Sequence, residues 1–142
     1  MMGEITSIIT VTTSIYATME EVWKKWITPE DIMHWNNASD DWFCPKATND
    51  LRDGGRFSYT MSAKDDSFSF DFNGKYTNVE KPNIIEYRIQ WWRKVSVFFE
   101  DNACGTIKVT ETFEAENENP VDIQKTGWQA ILDNFKKYVE RN

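Results

Sequence analysis

An α+β fold, with one antiparallel sheet of about six to seven strands curved around a long C-terminal helix, is what this sequence predicts. Three observations lead there. Near the end of the chain Trp128, Ile131, Leu132, Phe135 and Val139 fall three or four residues apart, which makes them one apolar face of a helix about four turns long. Between Ile5 and Phe113 the chain reads mainly as strands. The breaks between those strands are of hairpin length, so neighbours run antiparallel in a meander. A long helix after so much sheet needs a surface to lie on, and a concave sheet around an apolar interior supplies one.

The elements follow in order. Ile5 to Ile15 is rich in Ile, Thr and Val, which suit a first strand. Thr18-Met19-Glu20-Glu21 has the spacing of a capping box and opens a helix with Val22, Trp23, Trp26 and Ile27 on one side. Thr28-Pro29-Glu30-Asp31 starts a second short helix, with Pro29 at a first helical position, that runs to about His34-Trp35. Asn36 to Lys46 reads as an ordered loop leading into a strand near Ala47 to Leu51. Asp53-Gly54-Gly55 is a turn, and Asp50 and Arg52 are placed to pair across it. Arg56 to Ser62 alternates as a half-buried strand. Phe68, Phe70 and Phe72 alternate in the next, up to Gly74, which marks a bulge or a close backbone approach. Turns at Glu80 to Asn83, Arg93-Lys94 and Asp101 to Gly105 separate strands Ile84 to Trp92, Val95 to Glu100 and Thr106 to Glu114. The acidic segment Glu114 to Pro120 links to the closing helix.

Composition narrows the function classes. A chain of 142 residues fits one domain with its own core, here residues 1–142. The formal charge of −7 disfavours nucleic acid and anionic membrane surfaces as partners. Aromatic residues make up 15% of the chain, enough to fill a core or line a pocket. Cys44 and Cys104 lie far apart without a CxxC and are expected as free thiols of a reducing, cytoplasmic compartment. The start Met1-Met2-Gly3-Glu4-Ile5-Thr6 lacks the basic and apolar regions of a signal peptide, and no apolar run is long enough to span a bilayer.

Four segments in order carry a resemblance: Val22-Trp23-Lys24-Lys25-Trp26-Ile27-Thr28-Pro29-Glu30, Asp50-Leu51-Arg52-Asp53-Gly54-Gly55-Arg56-Phe57, Phe72-Asn73-Gly74-Lys75-Tyr76 and Gly127-Trp128-Gln129-Ala130-Ile131-Leu132. Together they resemble the START-like (SRPBCC) superfamily, and most of all homologues of the activator of heat-shock-protein-90 ATPase. The resemblance implies a helix-grip fold enclosing a cavity that takes small hydrophobic or aromatic molecules. It also implies an alternative, a chaperone-associated or stress-response interaction module. In the eukaryotic activator a separate chaperone-binding region precedes this domain, whereas this sequence opens almost directly on its first strand. Ligand binding is therefore the leading expectation. A further alternative is a cyclase-, dehydratase- or hydrolase-type enzyme, although no shared catalytic motif of the cyclase relatives identifies one.

Several residues are candidates for the cavity. Strand parity puts Ile107, Val109, Glu111 and Phe113 on one face, so Glu111 is expected to point inward with a raised pKa, able to orient a ligand or act as a general base. A wet or paired carboxylate is the alternative for it. Tyr87, Ile89 and Trp91 share one face of their strand, as do Phe57 with Tyr59 and Phe70 with Phe72. These rings either line a pocket or pack a filled core. Trp35, Trp128 and Ile131 complete the ligand-binding set. Gly127 sits beside the helix stripe, where close packing against the sheet, or room for a ligand, explains a helical glycine. His34 is the only histidine and is expected at the surface. A single His with no ligand-spaced neighbour makes no zinc site, and the glycines of Asp50 to Arg56 lack the Lys-Ser/Thr of a phosphate loop. No metal or cofactor is expected, and the oligomeric state is monomer or homodimer.

Overall fold

The computed structural model describes residues 7–141. In chain order they form β1 (Ile8–Tyr16), α1 (Met19–Ile27), α2 (Pro29–Trp35), β2 (Trp42–Asn49), β3 (Arg56–Ala63) and β4 (Ser69–Glu80), then β5 (Ile84–Ile89), β6 (Arg93–Asn102), β7 (Thr106–Glu114) and α3 (Val121–Arg141). The expected start of the first strand at Ile5 lies outside the described residues. Seven antiparallel strands form one sheet in the order β1-β7-β6-β5-β4-β3-β2. The meander runs from β2 to β7, and β1 closes it by pairing with β7 over its whole length. The sheet curls into a half-barrel around α3, the α+β helix-grip arrangement.

Local chemistry sets the element ends. The Glu21 amide donates to Thr18 Oγ1 at 3.1 Å and the Thr18 amide donates back to Glu21 Oε1 at 3.3 Å, the reciprocal pair of a capping box. Pro29 occupies the start of α2, where its missing N–H leaves no bond unmade. Along β7 burial alternates residue by residue, as it must in a strand with one face turned to the helix. Gly74 is a close approach. A Cβ there would lie 2.5 Å from the Arg88 carbonyl oxygen and 2.8 Å from the Phe57 ring. The bulge in β4 falls instead between Tyr76 and Asn78.

The C-terminal half of α3 is packed into the core. Leu132, Phe135 and Val139 are buried there in one cluster that also holds Val11, Val97 and Phe99 of the sheet. The Trp26, Trp35 and Phe135 rings lie within 5.0 Å of one another, centroid to centroid.

Four expectations are corrected. β2 begins at Trp42 rather than near Ala47. Pro45 is accommodated because β2 is an edge strand whose register shifts between Phe43 and Lys46. β5 stops at Ile89, and Gln90–Trp92 forms a tight 3-10 turn, not a strand end. Trp91 and Trp92 take positive φ values of 64° and 60° to close the hairpin, and Arg93 already belongs to β6. α3 has 21 residues, about six turns rather than four. Its first turn is largely exposed and is anchored by buried Gln124, whose side chain donates to the Glu116 and Asn119 carbonyls and accepts from the Glu116 amide.

Candidate functional site

Toward the N-terminal half of α3 the interior is open. A cavity of about 200 Å³ lies between the sheet and the helices. Strand parity delivers its walls. Phe57, Tyr59 and Met61 come from one face of β3, Phe70, Phe72 and Tyr76 from β4, and Ile85 and Tyr87 from β5. The register sets Tyr59 opposite Phe72, Met61 opposite Phe70 and Tyr76 opposite Tyr87, so these side chains form continuous rows. Gly74 faces Phe57 in the same register and leaves the space that the Phe57 ring occupies. From the helices come Trp26, Trp35, Asn36, Trp128 and Ile131. Trp128 borders this space, its ring stacked on Phe113 at 3.9 Å and 15° and edge-on to Phe72 at 6.1 Å.

Few polar groups reach this space. Glu111 on β7 is 5% exposed and lines the cavity, set in register between Val11 of β1 and Val97 of β6. Burial pushes its carboxyl up to about 8, and no hydrogen bond or ion pair from the described residues pulls it back. Its oxygens open onto the cavity, and no polar side-chain atom is sealed in the interior without a partner among the described residues. Burial also drives the Tyr87 phenol well above its usual range, and the neighbouring Glu111 charge adds to the effect. On the opposite side Tyr76 donates to Asn49 Oδ1 at 2.6 Å, and Asn49 Nδ2 donates to the Ile27 carbonyl at 2.7 Å. Tyr59 adjoins Tyr76, and burial first and this neighbour second push its hydroxyl well up.

The structure brings together Trp35, Phe57, Tyr59, Phe70, Phe72, Tyr87, Glu111, Trp128 and Ile131 from the candidates named in the sequence. Three others lie elsewhere. Ile89 is buried in the general core outside the cavity lining. Trp91 is 78% exposed, because the chain turns before it can continue the face of Tyr87. Gly127 does not line the cavity, and a Cβ built on it meets nothing within 4 Å, so close packing against the sheet is not its reason. His34 is exposed on α2 and stacks on Tyr138 at 5.7 Å.

Sequence reasoning missed Trp26, Asn36, Met61, Tyr76 and Ile85 as cavity residues. Met61 shares parity with Phe57 and Tyr59, Tyr76 with Phe70 and Phe72, and Ile85 with Tyr87, so strand alternation carries the signal for these three. Trp26 and Asn36 enter through the docking of α1 and α2, which no periodicity reports. Asp50 and Arg52 do pair, at 3.0 Å and exposed, away from the cavity. Among the described residues no cluster of His, Cys, Asp or Glu is arranged to hold a metal ion. No described helix is long and apolar enough to cross a membrane. Chemically the lining can surround an apolar body and meet one polar group.

Comparison with known proteins agrees with this architecture. A family model described as activator of Hsp90 ATPase homolog 1-like protein matches residues 16–140. The solution structure of an AHSA1-like protein from Aeromonas hydrophila is 43% identical, covers 95% of this chain and 93% of its own, and superposes with a TM-score of 0.88. A Cytophaga hutchinsonii protein is 48% identical over 94% of this chain and 92% of its own, with a TM-score of 0.80. A Chromobacterium violaceum protein at 21% identity shares the fold, with a TM-score of 0.83 over 96% of this chain and 99% of its own. No curated protein matches the sequence. Since the family model spans almost the whole chain, the protein belongs to the activator of Hsp90 ATPase homolog 1-like family, within the START-like superfamily.

Proposed function

We propose that the protein binds one small hydrophobic or aromatic molecule in the cavity between the sheet and α3. The observation that carries this reading is an aromatic-lined space of about 200 Å³ with one carboxyl, Glu111, that no described residue bonds. A carboxyl in apolar surroundings costs stability unless something meets it, and a ligand's polar group would. Size narrows the ligand class. An apolar cavity of roughly 150 Å³ accepts benzene, so this one suits a compound of one or two rings and is too small for a sterol or a two-chain lipid. Binding is favoured over turnover because the described lining offers no Ser, Cys, Lys or His as nucleophile, and beside Glu111 it sets only phenols that burial keeps protonated. The test is a titration with 2-naphthol followed by amide chemical shifts. One-to-one saturation with shifts centred on Tyr59, Tyr87 and Ile131 is expected. Shifts scattered over the surface, or none, would overturn the reading.

The family's description favours a second reading, an interaction module that assists the Hsp90 ATPase. Such an interaction works through the surface, so capture of the host's Hsp90 should be unaffected when 2-naphthol fills the cavity.

A further inference from the structure

The cavity's charge pattern narrows the ligand further. Among the described residues its lining holds one carboxyl and no Lys, Arg or His, so an anionic ligand would find no counter-charge from them. Most of the remaining wall is aromatic, and the faces of Trp, Tyr and Phe rings attract cations. Trp128 borders the cavity, stacked on Phe113 and edge-on to Phe72 at 6.1 Å, so it belongs to a continuous aromatic wall. Phe57 and Tyr87 meet edge to face at 4.9 Å and both border the cavity, with Phe57 also packed against Tyr59, Phe72 and Tyr76. The chain's formal charge of −7 would draw a cation toward the molecule.

We infer that the occupant is a small organic cation, an amine on an aromatic or alkyl body, whose ammonium group meets Glu111 while the aromatic walls enclose the rest. This rests on the binding reading above and adds the ligand's charge to it.

Proton linkage separates this class from a neutral one. The other titratable groups lining the cavity among the described residues are the phenols of Tyr87 on β5, which feels the Glu111 charge, and of Tyr59 on β3 and Tyr76 on β4 across from it, and burial drives all three further above neutral. Val11 and Val97 flank it in the sheet, and the lining from the three helices adds no ionisable group. With the carboxyl pushed up to about 8, the empty site holds a proton at neutral pH, and an ammonium ion must displace that proton to the buffer on binding. Affinity for an amine then rises about 50-fold from about pH 6 to pH 8, the ratio of carboxylate fractions. A neutral ligand that accepts a hydrogen bond from the protonated acid changes by no more than about twofold over that range.

The experiment is calorimetric titration of the protein, and of Glu111→Gln, with benzylamine, benzyl alcohol and benzoate at those two pH values. Benzylamine should bind at least about tenfold more tightly than benzyl alcohol at the higher pH, benzoate least, and Glu111→Gln should lose both the preference and the pH dependence. Benzyl alcohol binding to the variant reports an intact cavity, and the wild-type pH series decides alone if the variant does not fold. Equal or tighter binding of benzyl alcohol, without the rise, would overturn the cationic class and leave the binding reading standing. No binding of any of the three at millimolar concentration would overturn both.

Discussion

Replacing Glu111 with Gln keeps the shape of the side chain and removes its titration, so the pH dependence of stability isolates what burial does to the carboxyl. In the folded chain the group is pushed from the ordinary 4.5 to about 8. Between those values the unfolded chain has released the proton and the folded chain still holds it. The folded state therefore binds more protons, and stability falls as pH rises. The slope is about 1.4 kcal/mol per pH unit, which makes a total of roughly 5 kcal/mol across the whole interval. The contribution is fully present below 4.5 and lost above about 8. Unfolding in urea, followed by tryptophan fluorescence at about pH 5.5, 6.5, 7.5 and 8, stays above the isoelectric point of 4.7. Over that window the stability of Glu111→Gln relative to wild type should grow by about 3 kcal/mol. The Tyr59 and Tyr87 phenols and the Cys44 thiol are also pushed up by burial and titrate above the window. A gap between the two proteins that stays constant with pH would refute the buried, unpaired carboxyl.

Three further outcomes test the surrounding structure. Gly127→Ala adds a Cβ into open space on an α-helix and should stabilise the protein by about 0.5–1 kcal/mol, seen as a raised Tm; a lowered Tm would mean the glycine is needed there. Gly74→Ala drives a Cβ into the Arg88 carbonyl and the Phe57 ring and should cost about 2–3 kcal/mol in urea unfolding. Thr18→Ala removes the acceptor for the Glu21 amide and should cost about 1 kcal/mol, with hydrogen exchange accelerated in the first turn of α1.

The sequence was most legible where one periodicity ran unbroken. Ile107, Val109, Glu111 and Phe113 alternate with polar residues in a strand that both neighbours pair without a bulge, so parity alone turned Glu111 inward. The stripe on α3 was legible for the same reason. The β5–β6 hairpin was not. Gln90-Trp91-Trp92 contains none of the Gly, Asn or Asp that usually marks positive φ, so strand alternation continues through it in the sequence and aligns Trp91 with Tyr87, where the structure turns instead. Pro45 acts in the other direction: a proline argues against a central strand, and only the tertiary arrangement shows that β2 is an edge strand able to hold it. Trp26 and Asn36 depend on how two short helices dock across the mouth of the sheet, a tertiary contact with no local signature. Gly127 shows a related limit: a glycine beside an apolar stripe suggests crowding, and the space around it is empty.

A crystal structure of the protein soaked in benzylamine tests the central claim most directly, because it asks whether the space under the N-terminal half of α3 is a container. The account predicts one ring against Trp128 and Tyr87, with the amine nitrogen within hydrogen-bonding distance of a Glu111 oxygen. A cavity closed by its own side chains, or density for the amine only on the outer surface, would contradict it.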